Sequence, residues 1–195
     1  MNVKEQHQQL WANLLQGDHR AYTEIIAYYF QPMFVYGSRL NADHDFVKDC
    51  VQDVFMELWR RREKLSMADS AKSYLFAAVR FKIYREQKKW SPNEEPDGNN
   101  VFYAEISIEA KLIEDQEKEE LRLKMEKLLN NLPARQREIL YLRFYENFDH
   151  QKIGEIMGLN KQVVYNLLHK AIGRLKKDWT FFTLIFLVSG VKLNA

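Results

Sequence analysis

The sequence is poor in residues that break helices, form cross-links or cross membranes. It contains 7 glycines and 4 prolines in 195 residues, which argues against a turn-rich β protein. Its single cysteine, Cys50, excludes an internal disulfide and fits a reducing cytoplasm. The N-terminus lacks a signal-peptide core, and the longest apolar run, Trp179 to Val191, is shorter than the roughly 20 residues of a membrane-spanning helix. A cytoplasmic, helical protein is therefore expected.

Residues that could carry catalysis or bind a metal are scattered. The five histidines are isolated, and no histidine–cysteine spacing suggests zinc. Asp43, Asp45 and Asp49 lack the glycine and the terminal glutamate of a calcium loop. No glycine-rich phosphate loop is present. The sequence therefore predicts a protein that is not an enzyme and uses no metal, cofactor or small-molecule substrate.

The net charge of +2 conceals an uneven distribution. Residues 1–93 hold 14 basic and 11 acidic side chains, and residues 133–178 hold 9 basic and 5 acidic ones. Between these blocks, residues 94–120 hold 2 basic and 10 acidic side chains. This pattern predicts two modules that can approach a polyanion, separated by a segment that a polyanion would repel.

Helix-breaking residues cluster at one place, residues 91–100, where two prolines, one glycine and three asparagines occur. Apolar residues recur at helical spacing on both sides of this cluster. We therefore predict an all-α fold of two small helical domains joined by a flexible acidic linker. The predicted divisions are a first domain at 1–90, a linker at 91–115, a second domain at 116–178 and an apolar tail at 179–195.

The first domain is expected to consist of amphipathic helices. Pro32 should interrupt or kink an early helix, because proline lacks the backbone donor. A turn and N-cap are predicted at Asn41-Ala42-Asp43, followed by a long helix from about Asp45 to Lys64, and Ser70 should cap a further helix that ends near Lys89. The buried stripe of the long helix should be Val47, Cys50, Val51, Val54 and Leu58.

The second domain is expected to begin with a helix whose apolar stripe is Leu121, Met125, Leu128 and Leu132, and a helix from about Ala134 to Glu146 should follow Pro133.

The second domain also contains a helix-turn-helix pattern. A helix predicted at 149–157 is followed by Gly158-Leu-Asn160 and by a longer helix from Lys161 to Lys177. Asn160 is the expected N-cap of the longer helix. Side chains that donate hydrogen bonds remain on its outer face, as in helices that bind base edges and phosphates. An ordinary solvated helix face is the alternative interpretation.

Both halves of the chain resemble the extracytoplasmic-function type of sigma-70-family sigma factors, and most closely those common in Bacteroidetes. The segments Leu132–Phe144 and Lys161–Lys176 resemble sigma region 4. The segments Asp49–Trp59 and Ser73–Arg80, together with Gly17-Asp18, resemble sigma region 2. The resemblance implies an RNA polymerase sigma factor that binds core enzyme and directs promoter-specific transcription initiation by recognising −35 and −10 elements.

The resemblance also implies roles for named residues. The residues expected to bind the β′ clamp helices of core polymerase are Asp49, Gln52, Asp53, Met56 and Glu57. The residues expected to contact the −10 element are Leu65, Ser66, Met67, Ala68, Asp69, Tyr74, Arg80, Tyr84 and Lys88. The residues expected in the −35 major groove are Lys161, Gln162, Val163, Tyr165, Asn166, His169 and Lys170. Further implied partners are the polymerase β flap, promoter DNA and an anti-sigma factor.

Several alternatives stay open at this stage. A helix-turn-helix repressor or a response-regulator output domain would explain the second domain but not the first. An inactive sigma-like decoy would bind core polymerase without supporting transcription. Among Tyr74, Phe76 and Phe81, at least two are expected in the core rather than on DNA. The apolar tail could dock on its own domain, contact an anti-sigma factor or touch a membrane surface.

Overall fold

The structure, a computed structural model, describes residues 3–66, 70–90, 101–103, 123 and 125–189. Regular structure in these ranges is helical and includes no β-strand, which confirms the predicted all-α class. The helices are α1 (Val3–Leu15), α2 (His19–Leu40), α3 (His44–Arg61), α4 (Ala71–Trp90), α5 (residues 125–130), α6 (Ala134–Leu140), α7 (His150–Met157) and α8 (Lys161–Ser189).

Helices α1 to α4 form the first domain, and short polar side chains start its helices. The carboxylates of Asp18 and Asp43 accept hydrogen bonds from backbone N–H groups at the beginnings of α2 and α3. Ser70 caps α4 as predicted, since its hydroxyl accepts from the backbone N–H of Ser73. The predicted interruption at Pro32 is wrong, because α2 continues through it while the buried Tyr29 and Met33 pack on either side.

The core of the first domain lies between α2, α3 and α4. The predicted inward stripe of α3 is confirmed, because Val47, Cys50, Val51, Val54 and Leu58 are all buried. Helix α3 ends at Arg61, and the predicted remainder to Lys64 forms a short 3₁₀ turn. Helix α4 contributes Leu75, Val79 and Ile83 to the same core.

Helices α5 to α8 form the second domain. The helix expected to reach Glu146 is regular only over α6, and a wider π-helical turn, Tyr141–Tyr145, completes it. Of the apolar stripe expected before Pro133, Leu132 is buried but Met125 is exposed. Leu121, also expected there, lies outside the described residues.

The two domains pack against each other along α4 and α7. Their buried residues form one continuous cluster, in which rings of the first domain meet rings of the second. Phe102, from the predicted linker, is only 2% exposed and lies between Tyr36 and Tyr141. This packing places α4 directly beside the helix-turn-helix.

Candidate nucleic-acid interface

The helix-turn-helix is built by caps and by two glycines. Asp149 accepts from the backbone N–H of Lys152 at the start of α7, and Asn160 accepts from that of Val163 at the start of α8. Gly158 ends α7 with a φ of +66°, a left-handed conformation that glycine adopts without steric cost. A Cβ on Gly154 would lie 2.6 Å from the carbonyl oxygen of Leu159, so this position requires glycine for the close turn.

The packing of α7 on α8 fixes which face of α8 points outward. Ile153 and Ile156 of α7 meet Val164 and Leu168 of α8, and all four side chains are buried. The seven predicted −35 residues are all exposed, in agreement with the helical periodicity. We call these residues the recognition surface: Lys161, Gln162, Val163, Tyr165, Asn166, His169 and Lys170.

The recognition surface is organised by contacts among its own side chains. The amide of Gln162 donates to the Oδ1 atom of Asn166 at 3.2 Å, one helical turn apart. The Tyr165 ring stacks beside His169, with centroids 6.4 Å apart, and lies edge-on to His150 of α7 at 6.2 Å. Lys161 and Lys170 add positive charge near the two ends. Such a face offers amide donors and acceptors for base edges and cations for phosphates.

A second candidate surface lies on α3, opposite its buried stripe. We call it the acidic stripe: Asp49, Gln52, Asp53, Met56 and Glu57. Asp49 and Gln52 are exposed, and Met56 is 59% exposed. Asp53 pairs with Lys82 at 2.5 Å and Glu57 pairs with Arg61 at 2.5 Å, so these two carboxylates are partly neutralised within the domain. The stripe presents carboxylates around one apolar side chain.

The loop after α3 is held by the N-terminal helix. The indole N–H of Trp11 donates to the backbone carbonyl of Ser66 at 3.3 Å. Tyr74, at the start of α4, contacts the Trp11 ring edge-on at 5.3 Å. Leu65 is half-buried and Ser66 is exposed, whereas Met67, Ala68 and Asp69, also predicted to contact the −10 element, lie outside the described residues.

Helix α4 carries the other predicted −10 residues, and the structure places them on two faces. Tyr74 and Lys88 lie on the exposed face, which also carries Phe81 and Arg85. Phe81 is 65% exposed, and the Arg85 guanidinium lies over its ring at 5.7 Å. The expectation that two of the three aromatic residues belong to the core is therefore wrong, because only Phe76 is buried. We call Tyr74, Phe81, Arg85 and Lys88 the outer stripe of α4.

Arg80 and Tyr84 lie on the inner side of α4 that faces the second domain. The Arg80 guanidinium donates to both carboxylate oxygens of Glu138, at 2.7 and 3.4 Å, and lies over the Tyr84 ring at 4.6 Å. Tyr36 of α2 donates to the same carboxylate at 2.6 Å. Glu138 is 1% exposed, so a buried carboxylate of the second domain is held by two donors of the first. We call Tyr36, Arg80 and Glu138 the interdomain lock.

The electrostatics of the interdomain lock follow from its burial. Desolvation raises the pKa of Tyr36 well above its usual value, and the negative charge of Glu138 raises it further. Desolvation alone would lower the pKa of Arg80, but the Glu138 carboxylate raises it above its usual value. Tyr36 therefore stays a neutral donor and Arg80 stays a cation throughout the physiological pH range.

A second carboxylate reinforces the contact between the domains. Glu146 follows the π-helical turn and pairs with Lys72 of α4 at 2.7 Å. It also accepts a hydrogen bond from the hydroxyl of Tyr141 at 2.7 Å, and burial together with this carboxylate raises the tyrosine pKa. The Lys72 ammonium lies 5.0 Å from the centre of the Phe148 ring. Ionic and aromatic contacts thus alternate along the boundary.

The sequence reasoning missed the two buried carboxylates. Glu138 directly precedes the apolar run Ile139-Leu-Tyr-Leu142, but a glutamate is rarely buried unless it is paired, and its partners Arg80 and Tyr36 lie 58 and 102 positions away, so no local signal predicts its burial. Gly154 was also missed, although a glycine near the end of the first helix fits the close turn. In the ranges that the structure covers, no group of three His, Cys, Asp or Glu side chains could hold a metal ion. Within the same ranges, no helix has the length and apolar character needed to cross a membrane.

Comparison with known proteins matches both domains to one family. The family model for Sigma-70 region 2 matches residues 26–91, and that for Sigma-70, region 4 matches residues 122–175. No curated protein sequence matches the chain. The region 2 match includes the acidic stripe and the whole of α4, and the region 4 match includes the helix-turn-helix.

Solved structures share the fold at low identity. The chain is similar to CnrH in a structure with the cytosolic domain of CnrY, with a TM-score of 0.56 and 17% identity over 87% of this chain and 94% of that one. It is also similar to the sigma factor RpoE from Bartonella quintana in a structure with the anti-sigma factor NepR, with a TM-score of 0.57 and 23% identity over 80% of this chain and 94% of that one. The two regions occur in the family order and together span more than half of the sequence, so the chain belongs to the sigma-70 family and is an extracytoplasmic-function type sigma factor that binds core RNA polymerase and promoter DNA to direct transcription initiation.

Proposed function

We propose that this sigma factor reads the −35 element with the recognition surface and binds core polymerase with the acidic stripe. The observation that carries the proposal is the exposure of all seven residues of the recognition surface, on a helix-turn-helix whose two helices are capped by Asp149 and Asn160. The chain itself would catalyse no reaction, since polymerisation belongs to the core enzyme. Its place of action would be the cytoplasm, where the chromosome and the polymerase are found.

The contact with the −35 element would follow helix-turn-helix docking, in which the second helix enters the major groove. Gln162 and Asn166 are one turn apart and already hydrogen-bonded to each other, so their amides are oriented for a base edge. Lys161 and Lys170 would contact phosphates, and Tyr165 would offer an apolar ring to a thymine methyl group. Unlike the amides, the lysines would carry no sequence information.

The contact with core polymerase would use charge and one apolar anchor. The carboxylate of Asp49 and the amide of Gln52 are exposed on the same face of α3, beside the exposed Met56. A basic partner such as the β′ clamp helices would complement this face. The ion pairs of Asp53 with Lys82 and of Glu57 with Arg61 would compete with such a partner. Asp49 is therefore the carboxylate with the strongest expected effect on core affinity.

The contact with the −10 element would use the outer stripe of α4 and the loop at residues 65–69. Exposed aromatic rings beside cations suit melted single-stranded DNA, because bases stack on the rings while cations meet the backbone. Phe81 and Arg85 therefore join the predicted Tyr74 and Lys88. Arg80 and Tyr84 remain predicted −10 residues, but they would reach DNA only in an arrangement without the Glu138 contact.

An anti-sigma factor is the proposed regulator. The support is the likeness to CnrH and RpoE, whose structures contain CnrY and the anti-sigma factor NepR, respectively. Both chains share the fold of this protein over at least 80% of its length. The apolar tail at 179–195 remains a candidate contact for that partner.

In vitro transcription with core polymerase and genomic DNA tests the proposed function. We expect discrete start sites with a shared upstream element, and we expect the variant K161A/Q162A/N166A to lose dependence on it while retaining core affinity. Glu155→Gln, an exposed change on α7, serves as the control. If the triple variant used the same start sites as wild type, the proposal that the recognition surface reads the −35 element would be wrong. Core binding without any initiation would favour the decoy alternative.

A further inference from the structure

We propose that the apolar end of α8 anchors the chain to an anionic lipid surface by embedding in one leaflet of a bilayer. The segment that enters the lipid is residues 179–189, which we call the tail helix. This role goes beyond promoter and polymerase binding, because neither the recognition surface nor the acidic stripe includes these residues. The continuity of α8, the distribution of apolar residues and the charge around the tail helix support the proposal.

The tail helix continues the recognition helix without a break. Helix α8 runs from Lys161 to Ser189 as 29 residues, which corresponds to about 43 Å at 1.5 Å per residue. The last described side chain of α8 that packs on the domain core is Leu175, which is half-buried. The tail helix therefore begins about one turn beyond this core contact, on a helix whose first half is held firmly by its own domain.

Apolar residues occupy positions on every side of the tail helix. Eight of the ten residues from 179 to 188 are apolar, and the other two are threonines. At about 100° per residue, positions 184–188 alone fall in all four quadrants of the helix circumference. A helix that is apolar all round is stable only where apolar material surrounds it, in the core of a large protein or in a membrane. A second copy of the chain or a shallow groove would cover one side only, so the pattern favours lipid.

The length of the tail helix limits it to one leaflet. Residues 179–189 span about 16 Å, roughly half of the ~30 Å hydrocarbon core of a bilayer. Lysines flank this segment in the sequence, with Lys176 and Lys177 before it and Lys192 after it. Because the helix is too short to place these lysines on opposite sides of a bilayer, their ammonium groups would meet the headgroups of the same leaflet. Their hydrocarbon stems would remain in the apolar layer.

The charge around the tail helix complements anionic headgroups. Residues 156–195 contain six basic side chains, two of them in the recognition surface, and one acidic side chain, Asp178. Lys176 and Lys177 are exposed directly before the tail helix, and basic residues at such positions are attracted to a surface of anionic lipids. Trp179, its first residue, is of the type enriched at the boundary between headgroups and acyl chains. Cations, an interfacial aromatic residue and an apolar segment thus follow each other in the order that a membrane surface requires.

Co-sedimentation of the full-length chain with lipid vesicles tests the anchor. The vesicles would contain phosphatidylcholine alone, or equal parts of phosphatidylcholine and phosphatidylglycerol. The variant F182S/F186S makes the tail helix less apolar without changing its charge, and K176E/K177E reverses the charge that precedes it. The control K48E/K64E makes the same change in net charge at two exposed positions of the first domain. Circular dichroism would check that each variant is folded.

We expect wild type to bind the anionic vesicles, and to bind phosphatidylcholine vesicles at least about tenfold more weakly. F182S/F186S should lose at least about tenfold in affinity for the anionic vesicles, because less apolar surface is buried in the lipid. K176E/K177E should lose a similar factor, whereas K48E/K64E should stay within about twofold of wild type. No binding by wild type, or equal binding by wild type and F182S/F186S, would overturn the anchor. Equal losses in the two lysine variants would overturn the proposed attraction between the tail and anionic headgroups.

Fluorescence quenching by lipids with brominated acyl chains shows which part of the chain enters the bilayer. We expect such lipids to quench tryptophan emission in wild type and to quench it much less in Trp179→Phe, because only this tryptophan would reach the acyl chains. Equal quenching in both proteins would overturn the proposal, since another part of the chain would then be in the lipid.

Urea titration and light scattering identify the other possible occupants of the tail. If the tail packs on its own domain, F182S/F186S lowers the free energy of unfolding; if it joins two copies, the variant lowers the particle mass of the free protein. Either result without vesicle binding by wild type overturns the proposal. A stable monomer that does not bind vesicles, as expected for a tail that contacts only a partner protein, overturns it too. None of these measurements uses polymerase or DNA, so they leave the proposed function untouched.

Discussion

The two helices expected to contact DNA, α4 and α8, differ in how they present their side chains. All seven residues of the recognition surface on α8 are exposed; Gln162 bonds to Asn166, and the Tyr165 ring lies beside His169 and beside His150 of α7. On α4, the predicted −10 residues divide between an exposed stripe and an inner face held by Glu138. The proposed −35 surface is therefore accessible in the structure, whereas two of the four predicted −10 residues on α4, Arg80 and Tyr84, lie on the inner face.

Arginines on the two faces of α4 should differ most in their effect on stability. Arg80→Met leaves Glu138 buried without its cation, and we expect a loss of up to about 3–5 kcal/mol in the free energy of unfolding, limited by opening of the domains. Arg85→Met, on the exposed face, should change it by less than about 0.5 kcal/mol. Urea titrations of both variants measure the difference, and equal losses would refute the distinction between the faces.

A single amide on α8 should matter for DNA and not for stability. Because Asn166 is exposed, Asn166→Ala should leave the free energy of unfolding unchanged. The free energy of binding to duplex promoter DNA should become less favourable by about 1–3 kcal/mol for each base contact that is lost. Fluorescence anisotropy of holoenzyme on promoter DNA measures the loss. Lys176→Ala, at an exposed position further along α8, is the control. If the two variants lost the same DNA affinity, Asn166 would make no base-specific contact.

The exposed ring on α4 should contribute a smaller effect. Phe81→Ala should weaken holoenzyme binding to single-stranded −10 DNA by about 1 kcal/mol, at the low end for base stacking, because Arg85 already covers part of the ring. Binding to a duplex that carries only the −35 element should stay the same. Equal binding of wild type and variant to the single strand would remove Phe81 from the −10 site.

The smallest effect is expected at the start of the helix-turn-helix. Asp149→Ala should lower the free energy of unfolding by about 0.5–1 kcal/mol through loss of the α7 cap. The backbone N–H of Lys152 lowers the pKa of Asp149 in the folded chain, so this contribution is present at neutral pH and is lost as the pH falls below about 4. The difference in the free energy of unfolding between wild type and Asp149→Ala should disappear on acidification, as measured by urea titrations at several pH values. A difference that does not depend on pH would contradict the capping role.

Features set by local sequence were predictable, because their causes lie within a few residues. The caps at Asp43, Ser70 and Asn160 and the exposed face of α8 all agree with the structure. The interdomain lock was not predictable, since Glu138 lies 58 positions from Arg80 and 102 positions from Tyr36, and no local pattern indicates which face of α4 meets the second domain. The same reason explains why the exposure of Phe81 was missed.

Binding of holoenzyme to duplex DNA that carries only the −35 element tests the role of the recognition surface most directly. All seven residues of that surface are exposed on α8, so they are accessible to a major groove. Fluorescence anisotropy would compare wild type with the variant K161A/Q162A/N166A on this duplex and on an unrelated one. We predict that the variant loses its preference for the −35 element. An unchanged preference would contradict the role of the recognition surface.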